Sequence, residues 1–98
     1  MNEDESLKQK LNRETAKIHW RALEDHHKQG AVIMVSSNLD LITVAIAFAE
    51  DNRPLVEKWL NQAEVAKVSQ TQAATWTESN PELWAVVIAP WVLVQEAN

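Results

Sequence analysis

Hydrophobic spacing along this chain changes period repeatedly, and most changes come with a start or stop signal. Leu7, Leu11 and Ile18, at intervals of four and seven, mark one apolar helical stripe, with Lys8, Lys10, Arg13, Glu14 and Lys17 on the other face. Ser6 followed by Gln9 is a capping box that opens this helix. Trp20, Leu23 and His27 predict a second amphipathic helix, ended by Gly30 at its C′ position. Residues 31–35 are short, β-branched and uninterrupted, a strand buried on both faces. Ser36, Ser37 and Asn38 then supply turn and cap chemistry.

Residues 39–49 fit two periods. Ile42, Val44, Ile46 and Phe48 alternate as in a strand, whereas Leu41, Val44, Ala45 and Phe48 share a helical face. Three alanines and the polar cap upstream favour helix. Pro54 belongs in the first turn of the next helix, which puts Leu55, Val56, Trp59 and Leu60 on one side. Residues 65–68 predict a brief strand, and Ser69 with Gln72 caps a helix running through Ala73 and Trp76. Asn80-Pro81 is a turn signal. Residues 83–89 and 91–94 predict one strand bent at Pro90, or two, with Pro90 at an edge or bulge because it donates no ladder hydrogen bond. The expected architecture is α/β (α+β), one domain over residues 1–98. Four to five helices would cover a small sheet of three to four strands, with residues 1–5 disordered.

Composition narrows the chemistry. With no cysteine, disulfides, thiolate nucleophiles and cysteine-held zinc or iron–sulfur centres are excluded. One glycine excludes both the dinucleotide-binding fingerprint and the P-loop, and zero tyrosine excludes phenolic acid–base chemistry. The first thirty residues balance six acids against six bases, so the net charge of −5 comes from residues 31–98. There Arg53, Lys58 and Lys67 oppose eight carboxylates, which predicts no nucleic-acid partner and no anionic membrane surface. The start is acidic rather than a basic, apolar leader, and residues 83–94 fall short of the ~20 needed for a membrane span. The expected location is cytoplasmic.

Several segments carry a resemblance. Residues 11–18, Trp20, Leu23, residues 39–41 and 47–52, Val56, Trp59-Leu60 and the ending Ala89-Pro90-Trp91-Val92-Leu93-Val94-Gln95 resemble a family of small bacterial proteins, domain of unknown function 2288. The resemblance covers nearly the whole chain and implies an intact bacterial domain without implying an activity. Family members often carry proline before the first tryptophan, where His19 stands here, which counts against a family-wide role for His19.

The candidate functional residues are few. His19 and His26 lie seven apart, about 10 Å on a helix, too far to share an ion in the usual i, i+4 manner. No metal site and no cofactor are expected. Ser36, Ser37 and Asp40 lack a nucleophile elbow; Ser36, Ser37 and Asn38 read as ordinary capping and Asp40 as a charge that complements the macrodipole at a helix start, so no catalytic set is assigned. Glu50 and Asp51 sit at the negative end of one helix, where capping the next would suit them better. Five tryptophans are many for so small a core, and Trp84 and Trp91 flank Pro90 in an uncharged segment. The leading expectation is a non-enzymatic protein-interaction module. It would self-associate as a homodimer, or bind another protein, through a C-terminal edge holding Trp84, Pro90, Trp91 and Leu93. The alternative is a small-ligand binder or enzyme with a polar site near His27, Asp40 and Asp51.

Overall fold

The computed structural model describes residues 6–97 as an α+β domain. In chain order the elements are α1 (Leu7–Glu14), β1 (Ala16–His19), a 3₁₀ turn (Trp20–Leu23), α2 (Glu24–Lys28), β2 (Val32–Val35) and α3 (Leu41–Ala49). Then follow α4 (Arg53–Asn61), β3 (Val65–Lys67), α5 (Gln70–Ser79), β4 (Glu82–Ile88) and β5 (Trp91–Glu96). The capping signals work as sequence chemistry predicts. Ser6 and Gln9 close a reciprocal capping box and Ser69 accepts from the Gln72 N–H, whereas α3 is capped by Asp40 rather than by residues 36–38, its carboxylate accepting from both the N–H and the hydroxyl of Thr43. Gly30, at φ +73°, takes the left-handed geometry expected just past α2. Residues 1–5, expected to be disordered, lie outside the described residues.

The five strands run in the order β1-β4-β5-β2-β3, with β2 and β5 parallel and the other pairs antiparallel. Side chains alternate across the sheet, so β2, β4 and β5 each feed two cores. On one face Val86, Leu93, Ile33 and Val65 pack under α1, α3 and α4. On the other face Leu83, Ala85, Val92 and Val94 meet Trp20 and Leu23 of the 3₁₀ turn and Trp76 of α5. The second face is tied by polar bonds as well: the Trp20 Nε1–H donates to Thr77 Oγ1 at 3.1 Å, and that hydroxyl donates to Glu24 at 2.8 Å. Among the described residues no helix is long and apolar enough to cross a membrane.

The sheet has five strands rather than three or four. The extra strand is β1, whose Ile18 pairs with Leu83 across the sheet. Its spacing from Leu11 mimics a helix, but α1 stops at Glu14 and Thr15 turns extended (φ −81°, ψ 133°). The second expected helix divides into the 3₁₀ turn and the short α2, because Trp20 turns into the core directly after β1. The C-terminal segment is two strands, and Pro90, joined by a cis peptide to Ala89, occupies the turn between them rather than an edge or bulge. Neither strand is an edge: β4 lies between β1 and β5, and β5 between β4 and β2. The segment expected to form an edge is therefore interior to the sheet, with only residues 86–88 of β4 running past the end of β1. Residues 41–49 are helical, and Asn52, not Glu50 or Asp51, caps the next helix by accepting from the Leu55 N–H.

Candidate functional site

A cleft of about 320 Å³ opens on the first face, between the C-terminal half of α3, α4, and strands β2, β3 and β5. Local rules place its walls. Trp59, on the inner side of α4, is buried and anchors that helix to the core. The adjoining stripe Arg53, Val56, Glu57 and Leu60, spaced at three and four residues, is left to form one wall. The α3–α4 turn is tight, with Asp51 in the left-handed region (φ 53°) and the Asn52 N–H bonded to the Ala47 carbonyl at 2.9 Å. This turn brings Ala47 and Phe48 to the second wall. Ile33 and Val65 form the floor, and Trp91, half-buried, closes the side nearest the β4–β5 hairpin.

Charge is confined to the rim. Asp51 and Arg53 pair with each other at 3.5 Å, both largely exposed. Glu57 lies on the α4 wall. Lys67, opposite Ile33 in the sheet register, carries its Nζ to 5.7 Å from the Trp91 ring centroid, a cation–π arrangement. Among the described residues no histidine, serine or threonine lines the cleft.

The sequence-predicted site residues are spread out. Asp51 lies on the rim of this cleft, whereas Asp40 is at the other end of the nine-residue α3, about 14 Å away by helix rise. Asp40 lines a second, shallower depression with Thr15, Trp84 and Gln95. His27 belongs to the opposite face of the sheet, its ring 5.5 Å from that of Trp20. His27, Asp40 and Asp51 are therefore not brought together. His19 ends β1 while His26 lies in α2, so no single helix carries both. Trp84 and Trp91 share a face but sit four residue pairs apart in the β4–β5 ladder, about 13 Å, with Val86 and Leu93 between them under α3. Leu93 is fully buried, Pro90 is exposed in the hairpin turn, and Trp84 is 38% exposed with Lys17 Nζ 5.1 Å from its ring. These four residues form no continuous surface patch.

Phe48, Val56 and Lys67, which no sequence motif singles out, are the site residues that pattern reading misses. Lys67 appears in the sequence only as one of three cations in an acidic stretch. The one signal for it was its place in a short strand beside Val65, which puts a cation on the same sheet face as apolar residues.

The sequence model of a family described as "Protein of unknown function (DUF2288)" matches residues 6–96. The chain is also similar to a protein of Pseudomonas aeruginosa known from the "NMR solution structure of PA1075". The two are 43% identical, with a TM-score of 0.83, covering 100% of this chain and 92% of the other. No curated protein matches the chain.

Proposed function

This chain belongs to the DUF2288 family, which supplies a fold without a chemistry, and from the cleft we propose a non-enzymatic binding domain for small, largely apolar molecules. The observation that carries this reading is the lining of the cleft. Phe48, Val56, Leu60 and Trp91 are partly open to solvent above a floor of buried Ile33 and Val65, while the charged lining residues Asp51, Arg53, Glu57 and Lys67 are all exposed. Small-molecule sites have this character, a concave apolar interior with a few polar groups that orient the ligand, and the volume lies at the small end of their range. A binding role is favoured over a catalytic one because the lining is mainly apolar and two of its four charged groups, Asp51 and Arg53, are engaged with each other at 3.5 Å. The chain's three histidines lie elsewhere.

Titration of isotopically labelled protein with 1-octanol, followed by amide and indole NMR shifts, tests the reading. Saturable shifts at Ile33, Phe48, Val56 and the Trp91 indole support it. Shifts scattered over both faces, or none, refute it.

Self-association is a second reading, favoured by Val87, which is 62% exposed where β4 runs past the end of β1. A dilution series from about 100 µM, above the micromolar dissociation constants of modest interfaces, tests it in the same spectra. Concentration-dependent shifts around Val87 support it, and invariant shifts remove it.

A further inference from the structure

We propose that the cleft takes a small amphipathic monocarboxylate, its carboxylate held by Lys67 and its apolar body lying along Phe48, Val56 and Trp91. The inference rests on the cleft being the binding site, as proposed above, and adds the charge and size of the ligand.

The rim carries two cations, and they differ in availability. Arg53 is already neutralised by Asp51 at 3.5 Å. Among the described residues no carboxylate forms an ion pair with Lys67, whose ammonium rests instead over the Trp91 ring at 5.7 Å. A lysine lying on an indole is an ordinary surface contact where solvent is the only neighbour. Here the same ammonium borders an apolar hollow of about 320 Å³, where a negative group would be attracted more strongly than in open water. The Trp91 ring limits the positions the lysine samples, so a carboxylate meets a partly preorganised donor.

The opposite wall sets the limit of one negative charge. Glu57 stands on the α4 wall and the Asp51–Arg53 pair beside it is neutral as a unit, so a second carboxylate at the far end of the ligand would meet like charge at Glu57. The volume sets the size: about 320 Å³ lies at the small end of the range for small-molecule sites, which fits a short-chain carboxylate such as octanoate rather than a long-chain one.

Octanoate, 1-octanol and the eight-carbon dicarboxylate suberate, titrated at low salt against wild type and Lys67→Gln, separate the possibilities. Lys67 is exposed on a short strand, so glutamine leaves the core untouched, and the wild-type amide spectrum away from the cleft checks this. Octanoate should bind about fivefold more tightly than octanol, the scale of one partly exposed charge pair, and more tightly than suberate. In Lys67→Gln the octanoate advantage should vanish while octanol affinity stays. Equal binding of octanol and octanoate to wild type overturns the carboxylate and leaves the apolar cleft standing. Binding of neither overturns both. An octanoate advantage that survives Lys67→Gln overturns the role of Lys67, and suberate binding as tightly as octanoate overturns the single-charge limit.

Discussion

Thr77→Val probes the polar tie between α5 and the 3₁₀ turn. Trp20 is fully buried, and its indole N–H donates to Thr77 Oγ1 at 3.1 Å, while the same hydroxyl donates to Glu24 Oε2 at 2.8 Å. Valine keeps the shape of threonine and puts a methyl group where the acceptor was. Leaving a buried donor without a partner costs about 1–3 kcal/mol. Thr77 itself is exposed, so water reaches part of the site and the lower half of that range applies, about 1.5 kcal/mol. In a domain of this size each kcal/mol moves Tm by about 4–8 °C, so the midpoint should fall by about 6–12 °C. Thr75→Val is the control: it makes the same exchange on the same helix, but its hydroxyl bonds only the Thr71 carbonyl, at 3.2 Å. Its cost should stay within about 0.5 kcal/mol. Urea unfolding with an unchanged m-value measures both. In a Trp20→Phe background the indole N–H is gone, and Thr77→Val should lose most of its effect, a coupling of about 1 kcal/mol. Equal losses for the two valine variants, or strict additivity with Trp20→Phe, would refute the reasoning.

Two further substitutions have opposite signs. Ala63 occupies the left-handed region at φ 58°, which costs a residue with a Cβ about 1–2 kcal/mol. Ala63→Gly should therefore stabilise by about 0.5–1 kcal/mol after the added freedom of the unfolded chain is subtracted, read as a rise in Tm. Gln95 Nε2 donates to the carbonyls of Ser36 and Leu39 at 2.8 and 2.7 Å, pinning the β2–α3 loop to β5. Gln95→Leu should cost about 1–2 kcal/mol and speed amide exchange at Leu39, whose N–H bonds the Ser36 carbonyl. Unchanged exchange at Leu39 would show that the loop holds without Gln95.

Local chemistry is what the amino-acid order determines by itself. Ser6, Ser69 and Asp40 cap helices because a short polar side chain beside free backbone N–H groups needs no distant partner. Gly30 and Pro54 act equally locally, whereas residues 41–49 fit both a helical and a strand period in the sequence and their alanines only favour the helix that the structure has. Tertiary structure decided the rest. Ile18 belongs to a strand because Leu83 lies opposite it, a pairing more than sixty residues distant that no local window contains. The C-terminal hairpin is interior because β1 and β2 flank it, so most of an uncharged segment that reads as an exposed edge is paired, and only the stretch around Val87 runs past β1. The cleft is the clearest case. Phe48 comes from α3, Val56 from α4, Lys67 from β3 and Trp91 from β5, four elements whose order in space is set by packing two faces of one sheet. Side-chain period tells which face a residue takes, but only the strand order and the angle of the α3–α4 turn tell which neighbours it meets, and a binding site consists of those neighbours.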